Sequence, residues 1–435
     1  MSKLLLVPLV GLFACGEKPA PADNPEKDGK AAKAEPAPDP NAPPTPVQQA
    51  LKGEARPALL LAQAWFWKDG KGNPNPGPAR LDIWREGEDG WGYTRLEDGD
   101  SNVFHKAMPY GDGILTIGAE GPYFKHWTHA DGKWSAKTVW FKEEGWGGKF
   151  NRLRDIEIGD VDGDGVDEFV IATHDGGVVA VVEWDGKGEA SVLELDAKAD
   201  TFVHEVEIGD IDGDGKNEFF VTPSDRNKAG ASQAGGVSMY RWDGTTYKRS
   251  WVEEQHGTHA KEVLAADLDG DGISELFSVL EAEIDPDDRR KVLKPVEVRS
   301  YVLQPDGSFS STVIATVDDR QTRFLIPGDF DGDGQQELVL AAMTKGLFLL
   351  KPPAEDSETG EWTTTRFDQN SGGFEHAIWG ADLDKDGQLE LYVAADTQRE
   401  LKKYVWNAER ATFDKELLGR LDESIITWNI TDATL

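Results

Sequence analysis

Five short segments of the chain set carboxylates at alternate positions: DVDGDGVDE from Asp160, DIDGDGKNE from Asp210, DLDGDGISE from Asp267, DFDGDGQQE from Asp329 and DLDKDGQLE from Asp382. In each, Asp fills the first, third and fifth places, Gly the sixth and Glu the ninth. Charges this dense repel one another unless a cation sits among them. Hard oxygen ligands in this number suit Ca²⁺, which takes roughly six to eight, and the absence of nitrogen or sulfur ligands disfavours zinc and copper.

The sequence therefore predicts five Ca²⁺ sites, each with four carboxylates and one backbone carbonyl from the seventh residue. The first set is Asp160, Asp162, Asp164, Glu168 and the carbonyl of Val166; the second is Asp210, Asp212, Asp214, Glu218 and Lys216. Asp267, Asp269, Asp271, Glu275 and Ile273 form the third, and Asp329, Asp331, Asp333, Glu337 and Gln335 the fourth. Asp382, Asp384, Asp386, Glu390 and Gln388 form the fifth. An EF-hand would need Glu at the twelfth place and a helix after it. Here the twelfth place holds Ile171, Val221, Ser278, Leu340 or Val393, and a strand-like run follows.

The elements that carry these loops are strands. The loops recur at spacings of 50, 57, 62 and 53 residues, and each runs into a segment such as FVIAT, FFVTP or LVLAA. Between them lies a second kind of hairpin, for example VVEWDGKGEASVLEL or MYRWDGTTYKRSWV, and seven copies of it can be counted. Four short strands in a unit of about fifty residues is the pattern of a propeller blade. RPALLLAQAWFW opens the first unit without an innermost strand, whereas SIITWNITDATL at Ser424 to Leu435 supplies one and stops. The expected fold is all-β: a seven-bladed β-propeller of four-stranded antiparallel blades, closed by the C-terminal strand joining the first blade. Blades are expected at 57–101 plus 423–435, 102–150, 151–200, 201–257, 258–319, 320–372 and 373–422.

The GDxDGDGxxE loops in their strand contexts resemble the FG-GAP/VCBS repeat family, whose β-propeller forms the head of integrin α-subunits. The resemblance covers about Pro57 to Leu435. It implies that the loops lie on one face and that ligands engage the opposite face. The first blade starts beyond where its loop would be and the second has only YGDG, Tyr110 to Gly113, so both depart from the pattern.

Six residues before each loop the chain places Arg154, His204, Lys261, Arg323 and His376, with His105 at the matching place before Gly111. Aligning Asp432 with the loop aspartates puts Ile426 at this place in the C-terminal strand. Propeller geometry brings such residues to the axis, where a basic ring could gather a carboxylate, phosphate or sulfated sugar. The opposing expectation is local pairing with acids such as Glu205 and Glu262. His256 and His259, with Glu254 and Glu262, read as polar residues of a connection. Trp84, Trp127, Trp184, Trp242 and Trp406 read as packing between blades, and Ala282 to Val292 as a solvated insertion.

MSKLLLVPLVGLFAC reads as a lipoprotein leader with Cys15, the one cysteine, as the lipidated residue. Residues 16–56, rich in Pro, Ala and charge, read as a disordered tether. With 46 Lys and Arg against 80 Asp and Glu, a net charge of −34, a generally basic surface for nucleic acid is excluded. The sequence points to a monomeric binding or interaction module on the bacterial envelope, at the outer membrane, engaging an envelope protein or an anionic glycan. A polysaccharide lyase or hydrolase using the axial funnel, and a purely structural scaffold, are the alternatives.

Overall fold

The computed structural model describes residues 39–142, 152–198, 200–226, 232–354 and 360–435. The leader, Cys15 and the tether up to residue 38 lie outside the described residues. Of the unit Met1–Ala42, the described part is a turn closed by the Ala42 amide on the Asp39 carbonyl at 3.0 Å. The second unit, Pro43–Leu435, is built of antiparallel strands, with no helix among the described residues.

Seven arrays of four strands follow one another along this unit. The first sets Gly90–Asp98, Ala79–Gly87 and Pro57–Lys68 side by side, and Ile425–Thr434 pairs with the last of these. The second, spanning Val103–Phe141, touches the first through the pair Ala64–Val103. Five separate four-stranded sheets span Leu153–Asp196, Thr201–Gln255, Ala260–Val317, Thr322–Asp368 and Ile378–Arg420. The strands following the acidic loops, EFVIAT, ELVLAA and ELYVAA, are buried along their whole length. Strands rich in Val, Leu and Ala without polar alternation are what a sheet covered on both sides requires.

The core lies between sheets. Phe169, Ile171 and Val182 of the third pack on Ile117 and Phe124 of the second. The same packing joins the third to the fourth, the fourth to the fifth, the fifth to the sixth and the sixth to the seventh. Leu59, Leu61, Trp84 and Ile430 of the first sheet pack on Tyr392, Leu401 and Leu418 of the seventh. The innermost strands make the same succession: Ile378–Ala381 lies beside Ile425–Thr434, which lies beside Val103–Tyr110.

The expected tether ends earlier than residue 56. The Val47 carbonyl accepts the Glu97 amide at 2.7 Å, the Gln49 amide donates to the Arg95 carbonyl at 2.9 Å, and Trp134 Nε1–H donates to the Gln49 carbonyl at 2.9 Å. Gly90–Asp98 is an edge strand with unpaired backbone groups, and a polar segment without apolar periodicity can satisfy them as well as a strand can. The insertion at 282–292 is solvated at its tip, with Pro286, Asp287 and Arg289 to Lys291 exposed, but not at its base. Glu283–Ile284 pairs with Val292–Lys294, and Ala282 and Ile284 are buried between the fifth and sixth sheets.

Candidate functional site: acidic loops and axial cluster

Each acidic segment joins the innermost strand of its sheet to the next, and backbone amides fix its carboxylates. In the first loop, Asp160 accepts from Gly163 N–H at 2.7 Å and Gly165 N–H at 2.9 Å, and Asp164 from Val166 N–H at 2.8 Å. Glu168 Oε2 folds back to accept from Val161 N–H at 3.0 Å. These four bonds recur in the loops from Asp210, Asp267 and Asp329. The fourth place takes a left-handed backbone, with φ of 79°, 71°, 78° and 73° at Gly163, Gly213, Gly270 and Gly332. Lys385 holds it in the fifth loop at φ 60°, a conformation that costs any residue with a Cβ.

The result is converging oxygen atoms. Within 4.8 Å of one another lie carboxylate oxygens of Asp329, Asp331, Asp333 and Glu337, and of Asp382, Asp384, Asp386 and Glu390. Three carboxylates converge in the other loops: Asp160, Asp162 and Glu168; Asp210, Asp212 and Glu218; Asp267, Asp269 and Asp271. Asp164, Asp214 and Glu275 stand outside these sets. An all-oxygen donor set in a loop shaped by its own amides fits a hard metal ion. Burial, more than the neighbouring charges, pushes Glu168, Glu218 and Glu337 up to about 7.

At the other end of the innermost strands, the equal six-residue spacing has a structural cause. Phe104 pairs with Gly118 and Lys106 with Ile117, so His105 is one extra residue in the ladder. Arg154, Lys261 and Arg323 are extra in the same way, and His204 with Glu205 faces a single residue, Thr222. A β-bulge re-aims the side chain it carries. In the C-terminal strand the extra residue is Trp428, between the pairs Asn429–Ala62 and Thr427–Gln63, so Ile426 is not the equivalent.

The bulged residues gather, whereas His376, which precedes an unshifted ladder, does not. Arg154 stacks over Trp428 at 5.0 Å, His105 meets the same ring at 4.7 Å, and Arg323 stacks over Phe374 at 4.5 Å. Arg323 is paired with Glu375 and lies 3.8 Å from Glu281. Lys261 Nζ donates to His204 Nδ1 at 2.9 Å, while His204 Nε2–H reaches Ser224 Oγ at 2.9 Å. His376 stays apart: its Nδ1–H donates to the Ala342 carbonyl at 2.7 Å and its Nε2 accepts from Ser371 Oγ at 2.8 Å. Pairing with an acid thus holds for Arg323 with Glu375 and for Arg154 with Glu205 at 3.5 Å, while His376 bonds a carbonyl and a hydroxyl and Glu262 pairs with none of the ring. Burial drives His105, His204 and His259 well below the usual histidine range and Lys261 down to about 7.

The FG-GAP-like repeat model matches residues 160–221 and 210–278, each stretch running from one acidic loop through the next. Residues 160–278 carry FG-GAP-like repeats. No curated protein matches the sequence. Among solved structures, a putative 6-phosphogluconolactonase from Bacteroides fragilis aligns with a TM-score of 0.53 and 13% identity over 87% of this chain and 98% of that one. The periplasmic gluconolactonase of Pseudomonas aeruginosa aligns with 0.50 and 12% identity over 87% and 99%. Cobalt-substituted Synechocystis ACO aligns with 0.51 and 11% identity over 91% and 97%. At such identities the likeness shows a β-propeller-like fold and nothing of activity.

Around the FG-GAP-like repeats the structure adds partners that the motif does not contain. Arg241 reaches Asp212 at 2.7 Å and Glu218 at 2.8 Å, and Lys351 pairs with Asp331, so a side-chain cation sits against two of the five loops. His174 comes within 5.3 Å of the His204 ring, and His259 within 5.4 Å. His256 and His259 lie, as expected, in the connection between Tyr247–Gln255 and Ala260–Ala266, but His259 is buried beside the axial cluster, with Glu281 3.8 Å from it. Trp84, Trp127 and Trp184 are buried between sheets, while Trp242 and Trp406 are half-buried.

Proposed function

We propose that the FG-GAP-like repeats form a closed seven-bladed β-propeller whose five acidic loops hold Ca²⁺. We infer further that lipid on Cys15 tethers it as a monomer to a bacterial envelope, at the outer membrane. There it serves as a binding or interaction module for an envelope protein or glycan that presents an anionic group to the axial mouth. Seven successive packed sheets, with the first against the seventh, support the ring. The carboxylates converging at equivalent places support the ions.

One observation carries the anionic ligand. Among the described residues Arg154 makes no hydrogen bond: Glu205 is 3.5 Å and Glu375 3.8 Å from its guanidinium. Lys261 likewise donates only to His204, which is neutral. Arg154 is held in ion pairs but keeps N–H donors free of hydrogen bonds, and Lys261 donates to a histidine, so a carboxylate, phosphate or sulfate could take those donors. Trp428 and the exposed ring of Phe374 offer flat surfaces beside them.

The test is binding of residues 43–435 to anionic and neutral glycans in millimolar calcium. Arg154→Ala or Lys261→Ala is expected to weaken binding of an anionic glycan about 30-fold or more, as removal of a desolvated charge contact does. Retention by both variants would move the ligand off the axis and favour the scaffold reading. For the anchor, labelling cells with a palmitate analogue should mark the wild type and spare Cys15→Ser. Equal labelling of both would remove the lipid from the proposal.

The lyase or hydrolase reading keeps one observation in its favour, the deprotonation-prone Lys261 amine against neutral His204, a pair suited to proton transfer. Lys261→Arg separates the readings. It retains a cation for a binding module but would abolish turnover by a lysine base.

A further inference from the structure

Around Arg154 the axial groups close into a circuit. Its guanidinium lies over Trp428 at 5.0 Å and stands 3.8 Å from Glu375 Oε2. The other oxygen of Glu375 is paired with Arg323, which lies over Phe374 at 4.5 Å. The Phe374 and Trp428 rings, 6.4 Å apart and nearly perpendicular, complete it. Glu375 is 1% exposed and Phe374 45%, so the circuit runs from the interior to the surface.

Within it, donors and acceptors stand without counterparts. Among the described residues Glu375 Oε2 accepts no hydrogen bond, and Arg323 Nε–H donates none, with Glu281 3.8 Å away. Two further buried oxygens stay open beside Trp428. The Thr427 amide donates to Asp396 Oδ2 at 2.9 Å, and the Thr427 hydroxyl accepts from Gln63 Nε2 at 3.4 Å. Asp396 Oδ1 and Gln63 Oε1 are left with no donor. A Cβ on Gly373 would come within 3.2 Å of the Asp396 amide, so the segment carrying Phe374 and Glu375 runs alongside. Open acceptors thus lie next to the free donors of two arginines, and a buried polar group left unmade is a standing cost to the fold.

We propose, on the reading that an anion docks at the axis, that this circuit takes a uronic acid residue: a planar carboxylate with hydroxyl groups beside it on a saturated ring. The carboxylate accepts from the Arg154 N–H groups and from Arg323 Nε–H, while a hydroxyl next to it donates to Glu375 Oε2. The exposed Phe374 ring offers the sugar's apolar face a flat surface. A sulfate or phosphate ester presents acceptor oxygens on every side, so taking the arginines turns one of them against the Glu375 carboxylate. A carboxylate without hydroxyls leaves the open acceptors as they stand.

Calorimetric titration of the full chain in millimolar calcium tests this with four probes. They are methyl glucuronide, methyl glucoside sulfated on its primary hydroxyl, methyl glucoside and cyclohexanecarboxylate. The glucuronide is expected to bind at least about tenfold more tightly than each of the others, the worth of one charge-assisted hydrogen bond. Glu375→Gln keeps an oxygen for Arg323 and puts an amide donor where Oε2 stood. It should weaken the glucuronide about tenfold and leave or strengthen the sulfated sugar, so that the preference between the two collapses. Sulfated sugar and cyclohexanecarboxylate that bind as tightly as the glucuronide would overturn the uronic acid and keep an anion at the axis; water would then serve the open oxygens. A folded Glu375→Gln protein with the wild-type preference would overturn it equally. If that variant does not fold, the wild-type ratios decide alone. Binding of none of the four, or of methyl glucoside as tightly as the glucuronide, would remove the anion as well.

Discussion

Chelation of divalent ions is expected to lower the melting temperature of the folded unit by more than ~10 °C. An ion that binds only the folded chain stabilises it by about 2.7 kcal/mol at a hundredfold excess over its dissociation constant. Five such sites together rival the whole stability of an ordinary domain, of order ~5–15 kcal/mol. Side-chain cations settle little of the charge of the loops. Arg241 and Lys351 each serve one of them, and a single cation does not neutralise four carboxylates. With one cysteine in the chain, no intramolecular disulfide takes over the task. Differential scanning calorimetry with and without a chelator is the measurement, and an unchanged transition would remove the ions from the account of the fold.

The same experiment has a pH dependence of definite sign. Glu168, Glu218 and Glu337 sit at about 7 in the ion-free fold, raised chiefly by burial, against 4.5 for an ordinary glutamate. Between those values the folded chain holds protons that the unfolded chain has released. Ion-free stability therefore falls as pH rises through that window. A bound metal reverses the preference, because it requires the ionised carboxylates. The gap between loaded and ion-free melting temperatures should widen from pH 5 to pH 7.5. A constant gap would mean that these glutamates do not hold the ion.

The acidic loops were legible because everything that shapes them is local. Their carboxylates accept from amides two to five residues on, and the glutamate at the ninth place accepts from the amide at the second. The basic positions were legible as a spacing, but not their cause. A bulge is a property of two strands in register, and one strand does not reveal it. For that reason Ile426 took the place that belongs to Trp428. His376 matched the spacing, yet at φ 58° it leaves the line of the other five and bonds the Ala342 carbonyl of the sixth sheet and the Ser371 hydroxyl. Glu375, Arg241 and Lys351 carried no such signal, since each meets its partners across sequence distances that no repeat fixes.

Ending the chain at Glu423 is expected to abolish the cooperative fold. The strand Ile425–Thr434 belongs to the first sheet although it comes last in sequence, pairing from Pro57–Thr434 to Trp65–Ile425. Its loss would bare the edge of Pro57–Lys68, a strand buried over most of its length and suited to pairing with other chains. Ile430, fully buried between the first and seventh sheets, would leave a void that by itself costs ~2–5 kcal/mol. Trp379 would lose its hydrogen bond to Asp432 at 2.9 Å, and the Ala107 carbonyl the Thr431 hydroxyl at 2.7 Å. Both bonds tie neighbouring sheets to the strand, so the damage would reach both sides of the junction. The truncated protein should be insoluble, or soluble with broad melting and weak near-ultraviolet dichroism. A synthetic peptide of residues 423–435 should restore the transition by adding the missing strand at the vacated edge. A truncated chain that melts like the full one would mean that the strand is an appendage to the fold.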